Sequence, residues 1–523
     1  MNLFQKIITA SSFALLLSPP AFADKSNNTL DYASTKDIRD INPHLYSGEM
    51  AAQNMIFEPL VINTPEGIQP FLAKDWKISQ DGKKYTFNLR DDVFFTDGVP
   101  FTAEAAKLNI DAVLDNRSRH AWLELVNQID NVKASDKYQL EINLKNPYYP
   151  TLTELGLTRP FRFISPQAFI DRKTKYGVKS YVGTGPWVLS EHKKNQFAKF
   201  KRNKQYWGPQ PALNAVVWHV IPDKQTLLLA LQKGDVQLIF GADGDMLDID
   251  AFNALKGSHK IHTAMSPPVA SRAIVLNSNR PITGDKQVRQ ALQHAVDKAG
   301  IATGILGGTE DIAQTLMSKS IPYANVEQIV YAYSPQKSAK LLHDAGWVLK
   351  DKKIYREKND QEMEIVFSYN INNSAEKEIA ELVQDNLRSV GVKVKLIGEE
   401  KQAYLDRQKN GDFDMQYSLS WGTPYDPASY VSSFRIPSHA DYQGQIGLKN
   451  KPEIDASISE LLITPQEEKR KKLYSYLFST LADEAVYIPL TYSRTKAIYR
   501  KEIKNVKFSP SQYEIPFEKI NFE

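Results

Sequence analysis

The stretch "MEIVFSYNINNSAEKEIAELVQDNLRSVGVKVKLIG" (363–398) predicts a strand, a helix and a second strand in direct succession. The opening "MEIVFSY" is apolar enough for a buried strand. Ser374 is placed to cap the helix and Gly391 to end it, after which "VKVKLIG" resumes as a strand. Two strands joined by a helix of this length are typical of a parallel crossover unit, so the stretch predicts an α/β fold. The helix is expected to bury Ile379, Leu382, Val383 and Val390.

The next segment outward, "FDMQYSLSW" (413–421), is predicted to be a further strand that ends at Trp421. Open parallel sheets bind ligands beyond the carboxyl ends of their strands. Trp421 and the loop that carries Tyr425 and His439 are therefore expected near a cleft. Alternating apolar residues predict strands in "KYTFNLR" (84–90) and "YQLEINLK" (138–145), and helical spacing predicts a helix in "DKQVRQALQHAVDK" (285–298).

Length and composition narrow the class of protein. The 523 residues suffice for roughly three domain-sized units at about 100–200 residues each. Lys and Arg number 65 against 61 Asp and Glu, which leaves a net charge of +4. Nucleic-acid binding would require a concentrated basic face, and no long basic run occurs, so nucleic acid is not expected as a partner. The chain has no cysteine, which excludes disulfides, thiolate metal sites and a cysteine nucleophile.

The N-terminus has the parts of a secretory signal peptide. Lys6 supplies the positive start, residues 7–17 form a short apolar stretch, and Ala21-Phe22-Ala23 is a small-x-small cleavage site. The apolar stretch is shorter than the roughly 20 residues that span a membrane. A buried N-terminal helix is the alternative, and the Pro19-Pro20 break argues against it. We therefore expect residues 1–23 to be a signal peptide and the mature protein to be soluble in a bacterial periplasm.

The chain contains "LAKDWKISQDGKKYTFNLRDDVFFTDGVPFTAE" (72–104), "GTGPW" (183–187), "RNKQYWG" (202–208), "LQKGDVQLI" (231–239) and "VRQALQHAVDK" (288–298). Together these stretches resemble the signature of the peptide/nickel family of extracytoplasmic solute-binding proteins. The resemblance covers essentially the whole mature chain. It implies an α/β, two-lobed periplasmic binding protein fold (type II, cluster C) with an extra subdomain in the first lobe.

The resemblance also implies domain boundaries. Lobe I would comprise residues 24–268 and 494–523, with the inserted subdomain at about 59–180, and lobe II would comprise residues 269–493. The chain would cross between the lobes twice, near residues 265–277 and 487–499, and the C-terminal tail would return to lobe I.

A narrower resemblance rests on "NPHLYSGEM" (42–50), "NRSRHAWLELVNQI" (116–129), "TRPFRFISP" (158–166), "WGTPYDP" (421–427) and "RIPSHADYQ" (435–443). These separated stretches are similar to those of the nickel-binding members of the family, which serve ABC nickel importers. The implied function is capture of a nickel(II) chelate in an interlobe cleft and delivery to the ABC transporter permease subunits in the inner membrane. The protein is expected to act as a monomer.

The resemblance assigns roles to particular residues. Arg119 and Arg159 would face the cleft and hold carboxylates of a small anionic metal chelator, a task that suits the planar, permanently charged guanidinium. His439 would coordinate the metal directly, which requires a neutral imidazole. The remaining chelator-binding positions implied in this way are Tyr46, Met50, Trp122, Tyr404, Trp421 and Tyr425.

Each of these positions has a structural alternative. A basic loop such as that of Arg119 is usually solvated, and aromatic residues, Trp122 above all, usually pack in a core. A lone methionine such as Met50 is more often packing than ligand. Taken without the resemblance, a lone loop histidine such as His439 is more often an ordinary loop residue than a metal ligand.

One histidine cannot hold nickel alone, because Ni(II) prefers four to six N and O donors. His259 and His262 lie three apart, but nothing else marks that pair. The missing donors would come from the chelator, either free L-histidine or a nickelophore with several carboxylates. Tyr513 stands where the nearest relatives are expected to have a small hydroxyl residue, which leaves the chelator open.

Other functional classes remain as alternatives. No G-x-S-x-G, HExxH or Walker motif occurs, so an enzyme is not expected, although scattered carboxylates alone would also fit a secreted glycosidase. The nearer alternative is a peptide- or haem-binding protein of the same importer family. Peptide binders of the family place an acidic residue just after the Trp-Gly pair, where this chain has Thr423 and Pro424. That difference argues against a peptide ligand.

Overall fold

The computed structural model describes residues 27–241, 246 and 248–523. The predicted signal peptide, residues 1–23, lies outside these residues. Within them, none of the helices combines the length and the apolar composition needed to cross a lipid bilayer.

The strands of the described residues occur throughout the chain. They are β1 Thr29–Ser34, β2 Val61–Thr64, β3 Gly67–Pro70, β4 Ala73–Ile78, β5 Lys84–Leu89, β6 Ile129–Asp136, β7 Gln139–Leu144, β8 Trp187–Lys193, β9 Phe197–Arg202, β10 Ala215–Val220, β11 Leu238–Gly241, β12 Ile261–Leu276, β13 Asp311–Ile312, β14 Glu357–Lys358, β15 Gln361–Glu362, β16 Glu364–Asn370, β17 Lys393–Glu399, β18 Met415–Leu419, β19 Tyr487–Arg500, β20 Ile503–Lys504 and β21 Asn521–Phe522.

The α-helices lie singly or in groups between these strands. They are α1 Met50–Ile56, α2 Ala103–Leu114, α3 Glu124–Gln128, α4 Thr151–Leu155, α5 Lys224–Lys233, α6 Ile249–Ala254, α7 Lys286–Ala295, α8 Lys298–Gly300, α9 Pro335–Asp344, α10 Ser374–Ser389, α11 Lys401–Asn410, α12 Ala428–Ser433, α13 Ala440–Gln445, α14 Lys451–Ile463 and α15 Glu467–Asp483.

The principal sheet is mixed and has the strand order β17-β16-β18-β12-β19-β11-β1-β10-β9-β8, with β13 also pairing β19. The long strands β12 and β19 pair antiparallel in its middle, and their register shifts between Met265 and Pro268 and again between Pro268 and Ala270. Parallel pairs flank them, β1 with β10 and β11 on one side and β16 with β17 and β18 on the other. The two long strands occupy the positions where the chain is predicted to cross between lobes.

A second, antiparallel sheet has the order β4-β5-β7-β6. The predicted strands 84–90 and 138–145 both lie in it, as β5 and β7. Alternate side chains face its core as expected, since Tyr85, Phe87, Leu89, Leu140 and Ile142 are all buried. This sheet falls within the region expected to form the extra subdomain.

The second sheet shares an apolar core with the C-terminal half of the chain. Leu125 and Phe163 belong to the same buried cluster as Val431, Leu461 and Tyr474. Two hydrogen bonds of Tyr149 add to this packing. Its N–H donates to the Leu462 carbonyl at 3.1 Å, and its hydroxyl is hydrogen bonded to that of Tyr474. Residues from distant parts of the sequence are thereby held next to one another.

The strand, helix and strand predicted over 363–398 are present as β16, α10 and β17, with the two strands parallel. Gly391 follows the helix with φ +85°, a conformation that glycine adopts without strain, so the predicted helix end is confirmed. The predicted cap is wrong by one residue. Asn373 is the N-cap, and its side chain accepts hydrogen bonds from the N–H groups of Ala375 and Glu376. Ser374 is instead the first helical residue.

Replacement of the cap tests this assignment. Asn373→Ala should lower the free energy of unfolding by about 1 kcal/mol, because two first-turn N–H groups lose their acceptor. Hydrogen exchange of the first-turn amides of α10 should accelerate with it. Ser374→Ala is the matched control and should change neither quantity measurably. A larger loss in Ser374→Ala than in Asn373→Ala would contradict the assignment.

Candidate functional site

A cavity of about 900 Å3 is lined by residues from the N-terminal part of the chain and by residues from its C-terminal part. Its N-terminal wall includes Thr35, Arg39 and Pro222, and its other wall comes from residue 370 and residues that follow it. Residues from β16, β18 and the loops that follow them line the second wall, so the cavity lies beyond the carboxyl ends of these parallel strands, as predicted. The predicted site residues among the lining are Tyr404, Trp421 and His439, and Tyr513 also lines it.

The loop that carries Trp421 is fixed by main-chain contacts. The Thr423 N–H donates to the Val269 carbonyl at 3.0 Å, and the Gln512 side chain donates to the Trp421 carbonyl at 3.1 Å. Gly422 adopts φ +77°, and a Cβ there would lie 2.8 Å from the Val269 carbonyl oxygen. Only glycine fits this close approach, so the chain can turn sharply and leave the Trp421 ring at the cavity.

Trp421 is the centre of a group of aromatic rings. Its ring centroid lies 5.4 Å from Trp122, 6.3 Å from Tyr425 and 5.6 Å from the imidazole of His439. Trp122 comes from the region of the second sheet, whereas the other three follow β18. The structure therefore brings four of the predicted positions together from distant parts of the chain.

The imidazole of His439 is free to bind a ligand. Its side chain makes no hydrogen bond or ion pair with the described residues, and it lines the cavity immediately before α13. Burial lowers the pKa of His439 to about 4, because the charged form would lose its hydration. The ring is therefore neutral near pH 7 and has an unprotonated nitrogen, the form that a metal requires.

Arg119 and Arg159 converge on one aromatic ring. The guanidinium carbon of Arg159 lies 4.9 Å from the ring centroid of Tyr46, and that of Arg119 lies 5.8 Å from it. Among the described residues, the one polar contact of either side chain is a 3.4 Å hydrogen bond from Arg159 to the Gly48 carbonyl. Within the described residues, no carboxylate lies at ion-pair distance from either guanidinium.

These two cations differ in exposure. Arg119 is exposed, whereas Arg159 is partly buried and burial lowers its pKa. Removing a cation from water costs free energy that a nearby anion normally offsets. This cost applies to the partly buried Arg159, which shares the Tyr46 ring with a second cation and has no carboxylate at ion-pair distance among the described residues, so this place suits an anionic ligand.

Tyr46 is held from both sides by hydrogen bonds. The Trp122 Nε1–H donates to the Tyr46 hydroxyl at 2.5 Å, and the same hydroxyl is hydrogen bonded to His120 Nδ1 at 2.6 Å. His120 was not predicted as part of the site. It lies between Arg119 and Trp122 in sequence, at the end of the short 3-10 turn Arg117–His120. Its contact with Tyr46 is seen only in the structure.

The remaining predicted positions have other surroundings. Tyr404 is buried and lines the cavity, but its hydroxyl donates to the Tyr417 carbonyl, so it contributes a wall and no free donor. Met50 begins α1 and is half-buried, and its role stays a prediction. Tyr513 packs its ring edge against Tyr425 at 5.8 Å and takes up space in the cavity.

The chain does not supply a complete metal cage. No group of three or more His, Asp or Glu side chains suited to a metal ion occurs in the parts of the chain that the structure describes. Of the pair noted in the sequence, His262 packs against the Tyr499 ring at 5.5 Å, and His259 is exposed. A metal held by His439 must therefore bring its other donors from outside.

Comparison with known proteins gives a consistent family. The profile of the bacterial extracellular solute-binding proteins, family 5 (middle), matches residues 67–442. The chain is 45% identical to the nickel-binding periplasmic protein of Escherichia coli (strain K12) over 486 residues, which is 92% of this chain and 93% of that protein.

Two further comparisons bear on the fold and the ligand. The crystal structure of NikA from Brucella suis in complex with Fe(III)-EDTA superposes with a TM-score of 0.93 at 44% identity, covering 95% of this chain and 100% of that one. The dipeptide-binding protein of Escherichia coli (strain K12) is 27% identical over 537 residues, 95% of each chain. The same fold is thus used for ligands of different chemistry, and the site has to distinguish among them.

Proposed function

The chain belongs to the bacterial extracellular solute-binding proteins of family 5, and from that premise we propose that it captures a nickel(II) chelate and delivers it to an ABC transporter for import. It acts in the periplasm, as a monomer that docks on permease subunits in the inner membrane. Its task is binding and delivery, without a chemical reaction.

The predicted lobes fit this role. We propose that lobe I comprises residues 24–268 and 494–523, with a subdomain at about 59–180, and that lobe II comprises residues 269–493. The paired residues Pro268 and Arg494 lie at the shifts of register in the β12–β19 pair. Irregular pairing weakens a sheet locally, so this is a suitable position for the lobes to bend relative to each other.

The observation that carries the proposal is the pair of arginines on Tyr46, which have no carboxylate at ion-pair distance among the described residues. Three successive ring contacts, Tyr46–Trp122, Trp122–Trp421 and Trp421–His439, connect this pair to the imidazole. The arginines provide forked N–H donors for carboxylates, and His439 provides one nitrogen for the metal. A ligand that uses both the arginine donors and the His439 nitrogen is an anionic or carboxylate-bearing metal chelate. The Brucella suis relative was crystallised with such a chelate, Fe(III)-EDTA, and the Escherichia coli relative is named for nickel.

The histidine and the arginines then bind different parts of the chelate. The chelator satisfies most of the metal's coordination and His439 completes it, while Arg119 and Arg159 hold the carboxylates. The rings of Trp122, Trp421 and Tyr425 exclude water, which strengthens the charged hydrogen bonds. Nickel with L-histidine is the chelate that we propose, and a nickelophore with several carboxylates is the alternative.

A peptide ligand is less well supported. A peptide needs a carboxylate for its terminal ammonium, and the acidic residue of the 421–427 loop is Asp426. Its side chain is buried and accepts a hydrogen bond from the Ser420 hydroxyl at 2.5 Å. Burial also raises the pKa of Asp426 to about 7, which leaves it a weak partner for a cation.

Titration with nickel tests the proposal. Nickel with L-histidine should change the tryptophan fluorescence, because Trp122 and Trp421 become drier when the lobes close on a ligand. It should also raise the melting temperature, since a ligand that binds only the folded state at a hundredfold excess over Kd stabilises it by about 2.7 kcal/mol. L-histidine alone is the control and should do neither. Equally tight binding of bare nickel in a non-coordinating buffer would contradict the chelate, and a co-purified peptide would contradict the choice of nickel.

A further inference from the structure

A chain of three hydrogen-bonded side chains lies beneath the two arginines. Tyr46 is its middle member, bonded to Trp122 Nε1 at 2.5 Å and to His120 Nδ1 at 2.6 Å. His120 has 0% of its surface exposed, and its second ring nitrogen, Nε2, has no hydrogen-bond partner among the described residues. The proposed function gives His120 no role, yet a buried polar ring with one unpaired nitrogen is costly.

The position of one proton decides what this chain of side chains can do. If the Tyr46 O–H donates to Nδ1, the proton of the neutral ring is on Nε2, and a buried N–H has no acceptor. If instead Nδ1–H donates to the Tyr46 oxygen, Nε2 holds only an unpaired lone pair. Buried N–H groups without a partner are rarer in proteins than unpaired acceptors, so the second arrangement is favoured.

In the second arrangement the Tyr46 oxygen accepts two N–H groups, one from Trp122 and one from His120. Both of its lone pairs are then used. The hydroxyl proton then has no acceptor in the described part of the chain, and it is available to a ligand or to water. The guanidinium groups of Arg119 and Arg159, which lie over the same tyrosine ring, attract an anionic acceptor to this place.

We propose that the Tyr46 hydroxyl donates to a carboxylate of the bound chelate, and that His120 is a positioning residue that fixes the direction of this hydroxyl. The proposal rests on the proposed function, because it takes the chelate as the source of the carboxylate. The site would then hold the carboxylate with a neutral O–H donor in addition to the two charged forks. That donor favours a carboxylate-bearing chelator over one that has only nitrogen donors.

The tautomer of His120 is measurable in the ligand-free protein. Nitrogen-15 labelled histidine gives distinct ring-nitrogen shifts for the two neutral tautomers, and His120→Asn identifies the signal by its disappearance. We expect protonation at Nδ1. Protonation at Nε2 would overturn the proposal irrespective of any nickel measurement.

Two probes that differ in a carboxylate test the binding step. Nickel–L-histidine and nickel–histamine present the same imidazole and amine donors, but histamine has no carboxylate. Calorimetric titration of wild type should show a preference for the histidine complex, and Tyr46→Phe should reduce that preference by about 10- to 100-fold, the value of one hydrogen bond to a charged group. His120→Leu should reduce it in the same direction, and His120→Asn, which keeps an N–H near the place of Nδ1, should retain more of it.

The titrations distinguish failure of the proposed function from failure of the role of Tyr46. A wild-type protein that binds neither nickel complex would overturn the proposed function and with it the carboxylate acceptor. A wild-type protein that binds with a preference which Tyr46→Phe leaves unchanged would overturn the role of Tyr46 alone. Circular dichroism and the melting temperature of each variant separate either result from misfolding.

Discussion

Arg159→Ala should weaken binding of nickel–L-histidine by about 30-fold to several-thousand-fold, equivalent to about 2–5 kcal/mol for loss of one partner of a desolvated charge pair. The partly buried Arg159 lies 4.9 Å from the Tyr46 ring, and burial lowers its pKa. Because Arg159 is partly buried against this ring, water screens the charge of its guanidinium poorly. The chelate's carboxylate would therefore lose a strong partner, and calorimetric titration measures that loss directly.

The accompanying variants separate charge from geometry. Arg159→Lys keeps the charge without the two-bond fork and should restore binding only in part. Arg119→Ala should act in the same direction with a smaller effect, because Arg119 is exposed. Arg388→Ala, on the exposed side of α10, is the control and should bind like wild type.

A chelator with more carboxylates should respond more strongly to loss of either arginine. Nickel–EDTA is the comparison with nickel–L-histidine. If Arg119→Ala and Arg159→Ala both bind the two chelates as wild type does, the arginines do not hold the ligand and the anionic-chelate mechanism is wrong.

Much of the fold follows from local patterns. The alternation of apolar residues in β5 and β7 and the strand–helix–strand spacing of 363–398 depend only on neighbours in sequence, and both predictions are confirmed. The predicted cap of α10 is wrong because "NNS" (372–374) offers adjacent residues of similar capping chemistry. Only the backbone geometry shows that Asn373, with extended φ and ψ, precedes the first helical turn.

The candidate site was predictable in part. Ligands of open parallel sheets bind beyond the carboxyl ends of the strands, and this principle predicts that Trp421 and His439 lie near a cleft. Resemblance to the family predicts that Arg119 and Arg159 face the same cleft. Neither could indicate that Arg119 and Arg159 share the ring of Tyr46, or that His120 bonds its hydroxyl, because these contacts join segments more than 70 residues apart. Burial also lowers the pKa of His439 to about 4, and the sequence around this residue does not show that burial.

His439→Ala should weaken binding of nickel–L-histidine by about 100-fold or more, because loss of a residue that merely orients a metal ligand already costs 10- to 100-fold. The X-ray absorption spectrum of the bound nickel should lose the contribution of one imidazole nitrogen. His259→Ala, an exposed histidine outside the cavity lining, is the control and should leave both unchanged. An unaltered spectrum in His439→Ala would make His439 a loop residue without a role in coordination.

The pH dependence of nickel–L-histidine affinity in wild type and His439→Ala distinguishes a buried His439 imidazole from an exposed one. A proton competes with the metal for His439 only below the pKa of the free site, which burial lowers to about 4. The ratio of wild-type to His439→Ala affinity should therefore stay constant from pH 7.5 to pH 5.5. With an ordinary pKa of about 6.5 the ratio would already fall about tenfold by pH 5.5. Titration of the chelator affects both proteins equally and cancels in the ratio, so a tenfold fall would mean that His439 is hydrated in the ligand-free protein.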